Sequence, residues 1–195
     1  VDAPGVDLSD LEQVDALFVE HGPLAGVVHC AAYTAVDRAE EEPELAQRVN
    51  DASGVLAERC AEEGIPLVVV STDFVFDGRK GEPYVESDAT NPISYYGETK
   101  LLGEQAALEA YPEGTWVVRT AWVYDEQGNN FPRLIMRLSE TRDVLRVVED
   151  QVGSPTYAGH LAPLLLSLPD VVPAGVRHLA GTGAVTRLEW AEAVL

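Results

Sequence analysis

Pro66-Leu-Val-Val-Val-Ser-Thr72 is the stretch whose reading decides the fold. It is almost unbroken in apolar and β-branched residues, and a strand without polar alternation is covered on both faces, as in a parallel sheet. Just before it, Leu45, Val49, Ala52, Leu56 and Cys60 recur at helical spacing, with Pro43 suited to a first turn and Gly64 to a C-terminal cap. That predicts a helix over about 43–63. Further upstream, Ala25-Gly-Val-Val-His-Cys-Ala-Ala32 reads as a short buried strand. Residues 7–22 read as a helix opened by a Ser9/Glu12 capping box and stopped by Gly22 and Pro23. Downstream the alternation continues: helix 95–110, strand 115–122, helix 130–140, strand 145–148, helix 159–168, strand 176–180 and helix 187–195. Strand and helix in strict turn imply an α/β fold, a doubly wound, Rossmann-like parallel sheet with right-handed crossovers.

Such a fold opens with a strand, a glycine-rich turn and a helix. No G-x-G-x-x-G or G-x-x-G-x-x-G follows a strand in this sequence. The opening β-α-β unit, about 40–50 residues by the usual size of such units, is therefore expected to lie outside these residues, as is the end of the C-terminal lobe.

Composition narrows the classes. A chain of 195 residues is long enough for a real core. It carries 33 acidic and 13 basic residues, a net charge of −20, which opposes phosphate-backbone binding and docking on an anionic membrane. No apolar run approaches the ~20 residues of a membrane span, and no basic-then-apolar start suggests a signal peptide. Cys30 and Cys60 cannot build a disulfide framework; both sit in apolar contexts and read as reduced core residues of a cytoplasmic protein. Of the 13 basic residues only Lys80 and Lys100 are lysines, so the acidity reads as a solvated surface rather than a site.

Four stretches carry chemistry. In Tyr96-Gly-Glu-Thr-Lys100 the phenol and the ammonium are four apart and share one helix face. A neighbouring cation favours phenolate, so the Tyr96 pKa is expected below its ordinary ~10, suiting proton transfer. Alone, this pair is more often an amphipathic tyrosine with a surface lysine; in a chain with two lysines the coincidence is rarer. Ser71-Thr-Asp-Phe-Val-Phe-Asp-Gly78 follows the decisive strand, and strand carboxyl ends line the ligand crevice of open α/β sheets. Thr72 can offer a hydroxyl and Asp73 an acceptor, or both can simply cap the loop. Arg119-Thr-Ala-Trp-Val-Tyr124, followed by Asn129-Asn-Phe131, puts Trp122 at a strand end, where it walls a ring-containing ligand or packs in a core. Cys30-Ala-Ala-Tyr-Thr34 offers small residues for close cofactor approach, or for tight helix-on-sheet packing. The four histidines, His21, His29, His160 and His178, show no metal-ligand spacing, and G-x-S-x-G is absent. Glu40-Glu-Glu42 reads as acidic charge at a helix N-terminus.

In order, Ala31-Ala-Tyr-Thr-Ala-Val-Asp37, Glu42-Pro-Glu-Leu45, Val49-Asn50, the Ser71–Gly78 run, Asn91-Pro92, Tyr96–Lys100, Arg119–Tyr124, Asn129–Phe131 and Asp150-Gln-Val-Gly-Ser-Pro155 resemble the dTDP-4-dehydrorhamnose reductase family of extended short-chain dehydrogenases. The resemblance spans about Asp7 to Leu168. It implies reduction, by NADPH or NADH, of dTDP-4-dehydro-6-deoxy-L-mannose to dTDP-L-rhamnose. Tyr96, Lys100 and Thr72 would be catalytic: Tyr96 would protonate the nascent alkoxide, Lys100 would hold the nicotinamide ribose and depress the tyrosine pKa, and Thr72 would bond the carbonyl oxygen. Ala31, Ala32, Tyr33, Thr34 and Val70 would lie along the cofactor with Tyr96 and Lys100. Thr72, Asp73 and Trp122 would bind the nucleotide-sugar, with no metal. Residues 1–124 would form the cofactor domain and 125–195 a smaller substrate lobe mixed with returning sheet elements. The expected partner is the nucleotide-sugar, with no nucleic acid or membrane, and a homodimer is compatible. A non-catalytic relative, such as the regulatory beta subunit of methionine adenosyltransferase, and another nucleotide-sugar epimerase or dehydratase are the competing readings.

Overall fold

The computed structural model describes residues 5–195. Its helices are α1 (Leu11–His21), α2 (Val36–Ala39), α3 (Pro43–Glu63), α4 (Tyr95–Ala110), α5 (Phe131–Ser139), α6 (Ala158–Val171) and α7 (Arg187–Val194). Its strands are β1 (Val27–His29), β2 (Leu67–Thr72), β3 (Thr115–Thr120), β4 (Val123–Tyr124), β5 (Val152–Gly153), β6 (Thr156–Tyr157), β7 (Gly175–His178) and β8 (Val185–Thr186). The chain forms two compact units. One runs to Arg119 and takes back Leu165–His178; the other holds Thr120–Leu164 and Leu179–Leu195. The sequence reading bounds the cofactor domain at Tyr124 and expects sheet elements to return from 125–195; the strand β7 is hydrogen-bonded to β3. No helix among the described residues is long and apolar enough to cross a membrane.

The first unit is built on a four-stranded sheet in the order β1-β2-β3-β7. β1 lies parallel to β2, and β3 parallel to β7. Leu67, Val69 and Val117 meet Val14 and Phe18 of α1, Leu56, Ala57 and Cys60 of α3, and Ala107 of α4 in one dry cluster. Each of the larger of these side chains contributes about 1.5–3 kcal/mol on burial, which fixes which sheet face carries the helices.

Helix ends follow local chemistry. The α3 helix has Pro43 in its first turn and ends at Gly64 in the left-handed region, φ +65°, where a side chain would be strained. At α1 the sequence expectation is corrected. The cap is Asp10, whose carboxylate accepts from the Glu12 and Gln13 amides, while the Ser9 hydroxyl donates to Asp7. The strand expected over 145–148 does not form: those residues carry no sheet pairing, Arg146 and Val148 face solvent, and the pairing falls to β5 instead. Cys60 is buried as expected, but Cys30 is exposed, since β1 ends at His29 and the chain has left the sheet by then.

In the second unit β4 pairs parallel with β6, and β5 antiparallel with β8. A capping box between Thr186 and Glu189 starts α7. Trp122 holds a left-handed backbone, φ +48°, unusual for a bulky residue. Its indole is stacked on Trp190 at 5.5 Å, and the Arg187 guanidinium lies 3.6 Å from its ring centre. Gly153 packs so closely that a Cβ there would sit 2.4 Å from the ring.

Helices α3 and α4 touch where neither has bulk to spare: a Cβ on Gly103 would come within 2.5 Å of the Asn50 carbonyl oxygen. Gly103→Ala is expected to force the two backbones apart and cost about 1–3 kcal/mol, as overpacking does. A matching fall in the urea midpoint at unchanged slope checks this.

Candidate active site

Everything in this site hangs on the carboxyl end of β2. Thr72 is its last residue; the chain then turns at once into a single 3-10 turn, Asp73–Val75. The Thr72 hydroxyl oxygen accepts from the Phe74 amide at 3.2 Å and the hydroxyl donates to Asp73 Oδ1 at 3.1 Å. The capping reading of this Ser-Thr-Asp run is thus satisfied, and Thr72 also lies near enough to the Tyr96 phenol to act on its pKa. Ser94 caps α4 by accepting from the Gly97 amide, which sets Tyr96 in the first turn. Gly97 allows that turn to lie on the loop after β2, since a Cβ there would meet the Phe74 carbonyl oxygen at 2.2 Å. The Tyr96 ring packs with Ala39 and Ala46 and meets Phe74 edge-on at 5.6 Å.

Lys100, one turn further, is not a surface lysine. It is 4% exposed, and its ammonium donates to the Val70 carbonyl oxygen at 2.9 Å. Burial pulls its pKa from 10.5 down to about 8; Glu104 and Cys30 oppose the fall. Tyr96 departs from expectation. Its pKa is raised, because burial outweighs the lowering influence of the Thr72 hydroxyl, and Asp73 adds to the rise. The lysine expected to lower it has its ammonium turned onto the β2 backbone. A raised phenol pKa keeps the proton on Tyr96 at neutral pH, which suits a proton donor better than a base.

Below this surface lies a polar layer that pattern reading did not single out. Glu104 is 2% exposed. Its carboxylate accepts from the Ser71 hydroxyl, from Arg119 Nε at 3.1 Å and from Arg119 Nη2 at 2.7 Å. The Asn50 amide donates to Thr99 at 2.9 Å, and Thr99 donates to the Tyr96 carbonyl oxygen at 3.0 Å. Asn50 Oδ1 accepts from the Tyr33 amide at 3.1 Å, tying the loop after β1 to α3. One signal for Glu104 was present: it continues the four-residue step of Tyr96 and Lys100 along one helix face. Asn50 belongs to a run that carries the family resemblance, but its helical spacing alone does not mark it as buried.

The remaining expected residues fall as follows. Ala31 and Ala32 follow β1, with Ala32 buried; the Thr34 carbonyl accepts from Val36. The Tyr33 phenol donates to Glu42, which also pairs with Arg38, so Glu42 serves this loop as well as the start of α3. Trp122 belongs to the second unit, in the aromatic group with Trp190, Tyr124 and Phe131 around Arg187. Among the described residues no group of three or more His, Cys, Asp or Glu is placed to hold a metal.

A nicotinamide ribose suits the Lys100 end of this site. An ammonium has three donors; Val70 takes one, and no other partner is found among the described residues, so donors remain for ribose hydroxyls.

A family model described as the RmlD substrate binding domain matches residues 1–195. A dTDP-4-dehydrorhamnose reductase of Streptomyces griseus is 43% identical over 187 residues, covering 93% of this chain and 61% of that protein. A crystal structure of dTDP-4-dehydrorhamnose reductase from Bacillus anthracis in complex with NADP superimposes with a TM-score of 0.93 at 36% identity, over 100% of this chain and 69% of that one. The Clostridium acetobutylicum ortholog gives 0.93 and 38%, with the same coverage. The chain spans about three fifths of the length of the curated relatives it matches.

His29 closes β1 at 3% exposure, with no partner for Nε2 among the described residues. Burial, with Lys100 second, pulls its pKa from 6.5 down to about 4. Between these values the unfolded chain binds a proton that the native state refuses, so stability falls as pH drops through that window. His29→Asn is expected to flatten the dependence of unfolding free energy on pH between 6.5 and 4, worth roughly 1–3 kcal/mol. Urea titrations at a series of pH values check it.

Proposed function

Because the chain belongs to the RmlD substrate binding domain family, we propose that the protein reduces the 4-keto group of dTDP-4-dehydro-6-deoxy-L-mannose, giving dTDP-L-rhamnose, with NADPH or NADH as cofactor. The observation that carries this reading is that α4 sets Tyr96 beside Thr72 and holds the buried Lys100 ammonium on the Val70 carbonyl of the same strand.

A bound nicotinamide cofactor supplies the hydride. The chain's own residues do the rest. As the keto carbon accepts hydride, negative charge grows on its oxygen, and a donor fixed at that oxygen stabilises the transition state more than the ground state. Tyr96 holds that proton and delivers it to the oxygen; its raised pKa keeps it charged with the proton beforehand. Thr72, beside Tyr96, shares the carbonyl oxygen and orients the phenol. Lys100, braced on Val70, gives its free donors to the ribose. Asp73 and Trp122 belong to the nucleotide-sugar in this reading. Ala31, Ala32, Tyr33 and Thr34 border the cofactor, where small side chains permit close approach. The residues of this chain include no glycine-rich turn for the pyrophosphate, so the reading concerns the nicotinamide end. With both cysteines free, the proposed setting is the cytoplasm.

In the protein expressed from its whole natural reading frame, Tyr96→Phe is expected to lower kcat by about 10²–10⁴-fold, the usual worth of a positioned acid, with cofactor affinity unchanged. Lys100→Met is expected to weaken cofactor binding as well. Loss of nicotinamide absorbance with the 4-keto sugar, and cofactor titration by fluorescence, read the two effects. Near-normal turnover in Tyr96→Phe would refute the assignment.

A further inference from the structure

We infer that Glu104 is a positioning residue for this site: tied to Ser71 on β2 and to Arg119 on β3, its buried carboxylate holds Lys100 as an ammonium against the Val70 carbonyl and locks the active face of α4 to the sheet. The inference rests on the reading of Lys100 as a cofactor-holding group, and deepens it.

The geometry is specific. Leu67, Val69 and Val117 face the helices in the dry core. By the two-residue period of a strand, Ser71 and Arg119 face the same way, one step nearer the carboxyl ends. There the packing changes from apolar to ionic, and the partner from α4 is Glu104. A single carboxylate therefore joins two neighbouring strands to the helix that carries Tyr96 and Lys100. Arg119 is buried too, with its guanidinium 5.2 Å from the Phe76 ring centre, so the pair is shielded from solvent screening.

Lys100 is one turn from Glu104 on the same face. The groups acting on its charge come from each packed element. On α4, Glu104 favours the ammonium; in the loop after β1, Cys30 does so too. His29, at the end of β1, is itself disfavoured as a cation by Lys100. On β3, Arg119 is engaged with Glu104. The α3 helix presents the uncharged Asn50 to the adjacent Thr99. With burial set against the charge and Val70 offering one uncharged acceptor, Glu104 is the fixed anion that offsets the cost.

The test uses the small number of lysines. In protein labelled at lysine Cε, Lys80 is a solvent-facing reference and Lys100 is identified by the signal lost in Lys100→Arg. Glu104→Gln is expected to make Lys100 bind its proton about tenfold more weakly, with Lys80 unmoved. The sign is decisive: loosened packing would let water reach Lys100 and strengthen proton binding instead. Glu104→Asp, which keeps the charge, is expected to restore part of the wild-type midpoint. Should Glu104→Gln fail to fold, Glu104→Gln with Arg119→Met removes the buried guanidinium together with its carboxylate, and a smaller weakening of the same sign is expected. A midpoint in either folded variant that stays put or moves up would overturn the inference. This readout needs no substrate, so it stands or falls apart from the turnover measurements that test the proposed reaction.

Discussion

The structure depends on a change of chemistry along two neighbouring strands, β2 and β3. Over most of their length the helix-facing side chains are apolar, and Leu67, Val69 and Val117 pack dry against α1, α3 and α4. At the last step before the carboxyl ends the same face turns ionic, with Ser71 and Arg119 closing on Glu104. An apolar seam has no direction; side chains can slide along it at small cost. A carboxylate bonded to two strands can sit in one place only, because any shift strands a buried charge. That constraint sets the rotation of α4, and the rotation of α4 sets where Tyr96 and Lys100 point.

Close backbone approach makes the same arrangement possible. Gly97 brings the first turn of α4 onto the loop after β2, and Gly103 brings its middle onto α3. Asn50 then reaches across to Thr99 and, with its other end, to the Tyr33 amide. The loop after β1, α3 and the helix of Tyr96 are thus one hydrogen-bonded body. Such bodies cost conformational freedom at folding rather than at binding, which is what an oriented proton donor requires.

Much of this was legible in the sequence. The ends of α3 were, because Pro43 suits a first turn and Gly64 tolerates the left-handed cap. So was α4, and so was the placing of Tyr96 and Lys100 on one helix face, since four residues make about one helical turn. What escaped depended on tertiary competition. Ser9 looked like a cap, but Asp10 stands one residue nearer the helix and carries a full charge. Val147 and Val148 suggested a strand, but no neighbour offers them a ladder. Cys30 sat in an apolar run that leaves the sheet one residue earlier. The direction of the Tyr96 pKa was missed for a similar reason: spacing reveals a nearby ammonium, but not that it bonds a carbonyl or that burial outweighs it. Glu104 has a periodic signature, yet a glutamate on a helix is ordinarily solvated, and only the arrival of Arg119 from another strand explains its burial.

The central claim is that α4 presents Tyr96 and Lys100 to the head of β2 in one fixed arrangement. A crystal structure of the natural protein with its nicotinamide cofactor bound tests this most directly. The account predicts Lys100 on the Val70 carbonyl, with its remaining donors on ribose hydroxyls, and the Tyr96 and Thr72 hydroxyls in contact above an intact Glu104–Arg119 pair. A Lys100 side chain turned out to solvent, or a Tyr96 hydroxyl remote from Thr72, would contradict it.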